Sequence, residues 1–217
     1  MLLLNKLVLV FVLAANLISG HVAEKVFLTV YYESQCPDSR RFVERQLLPT
    51  INLLHQYITL KLVPFGKAKS IRNGYGGFKC QHGPTECTGN MVQSCALDLM
   101  QERNDMEKVS YVNCEMQSEA GTRRDMACVR RSGLSAIEVL KECVDSDKGI
   151  SLMLDHEYQT KLVRPSFIPT ITINKVFNQE IQDAALRDLT GTVCRVLRHA
   201  PPCAAYYNTV ALGYVVD

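Results

Sequence analysis

The most constraining feature of this chain is a cysteine placed between a predicted strand and a predicted helix. Residues 26–32, VFLTVYY, form an apolar alternating run that predicts a buried β-strand, and Cys36 follows shortly after it. Pro37 suits the first position of a helix, which would make Cys36 the N-cap. A helix N-terminus favours negative charge, so this position stabilises a thiolate. The junction therefore predicts a nucleophilic thiol.

The elements that follow predict a parallel pair of strands. Residues 39–57 have helical periodicity, with Pro49 as the expected site of a kink. Residues 58–63, ITLKLV, predict a second strand, and a strand–helix–strand order is the crossover unit of parallel strands. Residues 67–79 are rich in glycine and predict a loop.

A long helical region separates this unit from the last predicted strand. From Cys87 to about Val163 the apolar spacing is helical, which predicts an insertion at about 87–163 stapled by disulfides. Strand character returns at residues 170–173, TITI, with a short hairpin predicted near residues 174–175. Residues 181–197 predict one closing amphipathic helix. We expect an α/β fold with a single domain over residues 21–217.

The first twenty residues predict export. Residues 1–20 hold one basic residue, Lys6, then an apolar run and a small polar end, which is typical of a signal peptide. All nine cysteines lie beyond it, in a chain expected to enter the ER and reach the extracellular space or the lysosomal lumen. Nine is odd, so one cysteine stays unpaired within the chain if eight form disulfides. The eight candidates are Cys80, Cys87, Cys95, Cys114, Cys128, Cys143, Cys194 and Cys203. The alternative, that Cys36 itself is paired, stays open on position alone.

The charge balance and hydropathy exclude two classes of partner. The formal net charge is only +2, which gives no reason to expect binding to nucleic acid or to an anionic membrane. The apolar stretch around residues 210–212 is too short to span a bilayer. Nothing in the composition implies a cofactor.

A proline precedes the last predicted strand. Pro169 stands in the run Phe-Ile-Pro-Thr-Ile at residues 167–171. A proline at the start of a buried strand fits a cis peptide bond facing a neighbouring loop.

A sixteen-residue stretch matches the sequence signature of a known protein family. Residues 80–95 read CQHGPTECTGNMVQSC and fill every fixed position of C-Q-H-G-x-x-E-C-x-x-N-x-x-x-x-C. This signature resembles that of the gamma-interferon-inducible lysosomal thiol reductase family. The resemblance implies a thioredoxin-like fold, in which Pro169 faces the nucleophile Cys36. It also implies an oxidoreductase that cuts disulfides of protein substrates in acidic compartments, with a role in immune defence.

The chain departs from that family at Ser39. The family's usual C-x-x-C motif is Cys36-Pro37-Asp38-Ser39 here, so the second thiol is replaced by a hydroxyl. Ser39 could hydrogen-bond the Cys36 thiolate but cannot resolve a mixed disulfide. Release would then need a low-molecular-weight thiol, the substrate's own second cysteine, or a partner. The predicted catalytic residues are Cys36, Ser39 and Pro169, in a thiol–disulfide oxidoreductase that depends on an external thiol.

Other interpretations of the same residues remain open at this point. A Cys₃His zinc site would use Cys80, His82, Cys87 and Cys95, although its spacing matches no common zinc finger and export favours disulfides. His82 could donate a proton to a leaving thiolate, or be a loop histidine bonded to backbone, which is the interpretation we favour. A cysteine hydrolase using Cys36 with His82 or His156 lacks a local signature. The alternative function is non-enzymatic: a secreted binding protein whose thiol reductase site has lost its activity.

Overall fold

The computed structural model describes residues 25–211. The predicted signal peptide and the start of the mature chain lie outside this range. Strand β1, Val26–Tyr32, is the central strand of a three-stranded sheet. Strand β2, Ile58–Pro64, runs parallel to β1, and strand β5, Thr170–Ile173, runs antiparallel to it. The predicted strands and the parallel crossover between the first two are confirmed.

The crossover helix α1 spans residues 37–54 and is irregular in the middle. It consists of Pro37–Phe42, a π-helical segment Val43–Leu47, and Leu48–Leu54, and a 3₁₀ turn follows at His55–Tyr57. Pro49 lacks an N–H and its ring crowds the carbonyl four residues earlier, so a wider turn before it relieves the clash. The irregularity expected at Pro49 is therefore present as a π-helical turn on its N-terminal side.

The predicted loop between β2 and the insertion contains a small hairpin. Strands β3, Lys69–Ser70, and β4, Phe78–Lys79, pair antiparallel. The prediction of a glycine-rich loop over residues 67–79 was incomplete, because two-residue strands give no periodic signal.

The insertion consists of helices that pack around two disulfides. Its elements are α2 (Pro84–Leu99), α3 (Asp105–Ser118), a 3₁₀ turn (Gly121–Arg123), α4 (Ala127–Arg131), a π-helical segment (Glu138–Val144) and α5 (Asp147–Val163). Disulfides Cys95–Cys143 and Cys114–Cys128 connect these helices internally. Helices α2 and α5 both contact β2, so the insertion shares a core with the sheet.

The C-terminal region contains three helices rather than the one predicted. These are α6 (Gln179–Arg187), α7 (Leu189–Leu197) and α8 (Pro201–Ala211). The predicted continuous helix over residues 181–197 is wrong at Asp188, whose side chain caps α7 by accepting from the Gly191 amide at 2.7 Å. Disulfide Cys194–Cys203 joins α7 to α8. No helix of residues 25–211 is both long and apolar enough to cross a bilayer.

Glu115 of α3 is a buried carboxyl at the centre of the insertion. Its side chain is only 2% exposed, and its Oε2 accepts from the Gly121 amide at 2.7 Å. Burial, helped by the nearby Asp125 carboxylate, raises the pKa of Glu115 to about 7, against the opposing effects of the Gly121 hydrogen bond and the Arg123 guanidinium. Above pH 7 the fold therefore holds an unfavourably buried charge.

We expect Glu115→Gln to flatten the pH dependence of stability between pH 4.5 and 7. Because the folded pKa lies above the unfolded value, the folded state binds more protons in this window, so the free energy of unfolding falls as pH rises through it. Between pH 4.5 and a pH above 7, we expect wild type to lose more unfolding free energy than Glu115→Gln, by on the order of 3 kcal/mol. Urea unfolding of wild type and Glu115→Gln at pH 4.5, 6 and 8 measures it.

Comparing the two proteins isolates Glu115 from other titrating groups. Buried His156 has its pKa lowered to about 4 and so acts in the opposite direction, but it is common to both proteins. Exposed Glu138→Gln is the matched control and should leave the profile unchanged. If the free energy of unfolding of Glu115→Gln depends on pH in the same way as that of wild type, the prediction is contradicted.

Candidate functional site

Cys36 lies at the N-terminus of α1, as the sequence predicts. It adopts an extended N-cap conformation, and its Sγ accepts a hydrogen bond from the Ser39 amide at 3.4 Å. All nine cysteines are among the described residues, and Cys36 is the one without a disulfide. Its side chain is 7% exposed. The thiol is thus unpaired, nearly buried, and set where a helix stabilises negative charge.

The Ser39 side chain does not contact the sulfur in the way the sequence suggested. Ser39 is fully buried, and its hydroxyl oxygen has no hydrogen-bond partner among the described residues. The bond to Cys36 comes from the Ser39 backbone amide instead. The polar contact to the sulfur therefore does not depend on which side chain occupies position 39.

Pro169 is brought next to the thiol by the sheet. The Ile168–Pro169 peptide bond is cis, as predicted, and Cys36 Sγ lies 3.7 Å from the Ile168 carbonyl oxygen. Gln182 of α6 holds this turn from behind. It donates to the Pro169 carbonyl at 3.0 Å and accepts from the Ile171 amide at 2.7 Å. Gln182 is a buried positioning residue that no local sequence pattern singles out.

A groove of about 480 Å³ adjoins this pair. It has apolar walls and a charged rim, and it is lined by Asp38, Arg41, Phe42, Arg45, Gln46, Phe167, Ile168, Pro169 and Leu186. Strand β5, which follows Pro169, lies at the edge of its sheet. The volume of the groove falls within the range of pockets that bind small ligands.

The loop before Cys36 is fastened to the insertion. The Ser34 amide donates to Asn90 Oδ1 at 2.8 Å, and the Ser34 hydroxyl donates to the Glu86 carbonyl at 2.9 Å. Asn90 and Glu86 are two fixed positions of the signature at residues 80–95. Their contribution to the Cys36 loop is not visible in the sequence, because 56 residues separate Ser34 from Asn90.

The signature's cysteines form disulfides rather than a metal site. Cys80 pairs with Cys87, and Cys95 pairs with Cys143. The Cys₃His zinc interpretation is therefore wrong, since a disulfide sulfur is not available as a thiolate ligand. The favoured role of His82 also needs correction. Its ring Nδ1 lies 2.6 Å from Glu86 Oε2, so its partner is a buried carboxylate rather than backbone.

Glu33, His156 and Tyr32 are three further polar residues that the fold buries. Burial, together with the neighbouring Glu86 carboxylate, raises the pKa of Glu33 to about 7. His156, the other histidine of the hydrolase interpretation, is buried against Ser94, with its Nδ1 3.0 Å from the Ser94 hydroxyl. Tyr32 is fully buried and donates to Gln93 at 2.7 Å.

Comparison with known proteins agrees with this geometry. Residues 27–132 match the family described as Gamma interferon inducible lysosomal thiol reductase (GILT). A Drosophila melanogaster protein named GILT-like protein 1 is 30% identical over 214 residues, covering 91% of this chain and 86% of the relative. An Anopheles gambiae protein named Gamma-interferon-inducible lysosomal thiol reductase-like protein is 32% identical over 190 residues, covering 82% and 79%. The chain belongs to the gamma-interferon-inducible lysosomal thiol reductase family.

Solved structures support the fold. The oxidoreductase DsbA from Xylella fastidiosa superposes with a TM-score of 0.51 at 16% identity, covering 82% of this chain and 89% of that one. MdbA, a thiol-disulfide oxidoreductase from Actinomyces oris, gives 0.51 at 14% identity, covering 82% of each. The expected thioredoxin-like fold with a disulfide-stapled helical insertion is confirmed. The chain is a family member with the fold of thiol oxidoreductases.

We expect Asn90→Ala to loosen the Cys36 loop. The substitution leaves the Ser34 amide buried without a partner, which costs about 1–3 kcal/mol of unfolding free energy. It should also raise the alkylation rate of Cys36, whose burial depends on the loop. Urea unfolding and timed iodoacetamide labelling with peptide mapping measure both effects.

The control for this prediction is Asn208→Ala on the exposed surface of α8. In wild type and control, labelling without reduction should modify Cys36 alone, at one thiol per chain. Unchanged stability and labelling in Asn90→Ala would remove the role given to the Ser34–Asn90 bond.

Proposed function

We propose that this protein is a thiol–disulfide oxidoreductase of the exported or endolysosomal compartment that attacks protein disulfides through Cys36. One observation carries the proposal. The single unpaired cysteine of nine caps helix α1 and lies 3.7 Å from the carbonyl of the residue before Pro169. The four disulfides fit a compartment in which oxidised cysteines persist.

The attack step uses groups already in place. The Cys36 thiolate attacks one sulfur of a substrate disulfide, forming a mixed disulfide while the other sulfur leaves as a thiolate and takes a proton from solvent. The Ser39 amide and the N-terminus of α1 stabilise the negative sulfur before attack. The substrate replaces the long contact between Sγ and the Ile168 carbonyl.

The release step needs a reductant from outside the chain. Ser39 carries no thiol, so a low-molecular-weight thiol attacks the mixed disulfide and frees the reduced substrate. A second such thiol then regenerates Cys36 and leaves as a disulfide. In total, one substrate disulfide and two external thiols give two substrate thiols and one external disulfide. Attack by a different cysteine of the substrate would instead form a new substrate disulfide and free Cys36, which is shuffling.

The groove beside Pro169 indicates the substrate class. Its apolar walls, Phe42, Phe167 and Leu186, would take an apolar side chain close to the scissile disulfide. Such side chains are exposed in partly unfolded proteins and covered in native ones. Partly unfolded, disulfide-bonded proteins are therefore the proposed substrates, and a role in immune defence is proposed from family membership.

A second candidate function is supported by two observations. Cys36 is only 7% exposed, and the resolving position holds Ser39. A secreted binding protein that has lost turnover would share both features, and the groove would then be a recognition surface. The two functions differ in whether Cys36 does chemistry.

We expect Ser39→Cys to make turnover far less dependent on external thiol. A thiol one helical turn from Cys36 attacks the mixed disulfide intramolecularly, at a high effective concentration. The measurement is reduction of a disulfide-bonded protein across a range of reductant concentrations, at acidic and at neutral pH. Wild type should accumulate substrate-linked adducts at low reductant on non-reducing gels, and Ser39→Cys should clear them.

Cys36→Ser is the inactive control, and Ser39→Ala is the matched control at the second position. Ser39→Ala should behave as wild type in its reductant dependence, because the contact to sulfur is made by the backbone amide. If Cys36→Ser equals wild type in turnover and in trapping, the thiol has no chemical role and the binding function replaces the one proposed.

A further inference from the structure

Three ionisable side chains converge behind the Cys36 loop and have no part in the proposed reaction. They are Glu33, the first residue after β1, and His82 and Glu86 of the signature. One nitrogen or oxygen atom from each lies within 4.8 Å of the other two. Both carboxylates belong to fully buried residues, whereas the His82 side chain is 33% exposed.

The two carboxylates are held in the same way. Glu33 Oε1 accepts from the Lys67 amide at 2.7 Å, and Glu86 Oε1 accepts from the His82 amide at 2.9 Å. Each carboxylate is thus fixed by one oxygen and presents the other, Oε2, towards the same ring nitrogen, His82 Nδ1. The backbone at Gly66 packs tightly against Glu33, since a Cβ there would lie 2.4 Å from Glu33 Cγ.

One of these oxygens has no partner. Glu86 Oε2 lies 2.6 Å from His82 Nδ1, but Glu33 Oε2 lies 3.9 Å away, beyond hydrogen-bond distance. It is buried and has no hydrogen-bond partner among the described residues. A buried carboxyl oxygen without a partner is costly. The cluster therefore leaves an unfilled polar position at the point where its three ligand atoms meet.

We propose that Glu33, His82 and Glu86 bind one Zn²⁺ ion through Glu33 Oε2, His82 Nδ1 and Glu86 Oε2. One imidazole nitrogen with two carboxylate oxygens is a zinc-type ligand set, and the ion would make the two carboxylates and neutral histidine electrically neutral overall. Ligand atoms about 2.1 Å from a tetrahedral zinc lie roughly 3.4 Å apart. The observed separations of 2.6 Å and 3.9 Å lie on either side of that value, so small side-chain rotations suffice. The exposed side of His82 leaves the fourth position to water.

The ion would act on the position of Cys36 rather than on the reaction itself. The Cys36 amide donates to the Glu33 carbonyl at 3.3 Å, so Glu33 belongs to the same turn as the thiol. Zinc would join the end of β1, the Cys80–Cys87 loop and the first turn of α2. Bound zinc would therefore fix the loop that presents the nucleophile.

The test is zinc titration of the exported chain carrying Cys36→Ser, which removes the free thiol as a competing ligand. After chelator treatment and buffer exchange at pH 7, with all disulfides intact, Zn²⁺ is added and followed by calorimetry and thermal unfolding. We expect one equivalent to bind and Tm to rise by several degrees, because a ligand of the folded state stabilises it by mass action. Mg²⁺ should give no shift, since it binds nitrogen ligands poorly.

Two variants in the same background identify the ligands. Glu33→Gln and His82→Leu should each weaken zinc binding at least 100-fold and abolish the Tm rise. Exposed Glu102→Gln and exposed His199→Leu are the matched controls and should bind zinc as the parent does. Circular dichroism checks that each variant is folded.

Absence of saturable zinc binding by the Cys36→Ser protein would overturn the proposal whatever the variants do. Retention of stoichiometric binding by either Glu33→Gln or His82→Leu would also overturn it, because the site needs both residues. Neither result bears on the proposed function, which is tested through Cys36 and Ser39 in the absence of added metal.

Discussion

The hydrogen bonds between Ser34 and helix α2 fix the loop that presents Cys36. The Ser34 amide and hydroxyl each bond to α2, and the approach is so close that a Cβ at Gly89 would lie 2.5 Å from the Ser34 hydroxyl oxygen. Only glycine allows this distance without displacing the loop. The Cys36 turn is thus packed between the sheet that carries it and the insertion, and its geometry is a property of both.

The parts of the fold that depend on local pattern could be predicted from sequence. Strand β1, the helix beginning at Pro37 and strand β5 each have their own periodicity or terminal residue, so neighbouring residues are sufficient to identify them. The cis Ile168–Pro169 bond followed from a proline at a strand start. The same reasoning failed at Asp188, because apolar periodicity continues across it while its side chain begins a new helix. An aspartate three residues before Gly191 was an N-cap signal that periodicity outweighed.

The remaining parts of the site arise from contacts between distant segments. Glu33 looks like an ordinary polar residue after a strand. Its side chain is nevertheless buried against Lys67, which lies 34 positions later in the chain, and near His82. Gln182 supports the Pro169 turn from a helix whose sequence looks merely amphipathic. Nothing in either local sequence shows such a partner, since burial of a polar side chain is decided by the packing of the whole fold.

The substitution at Ser39 separates two properties that a C-x-x-C motif combines. Stabilisation of the Cys36 sulfur comes from a backbone amide and a helix terminus, both of which any residue at position 39 would supply. Resolution of a mixed disulfide comes only from a second thiol. The Ser39 hydroxyl is fully buried and makes no hydrogen bond among the described residues, so the site shows no new polar contact in place of the missing thiol. In the proposed reaction the geometry for attack is therefore retained, whereas release of the substrate depends on an external thiol.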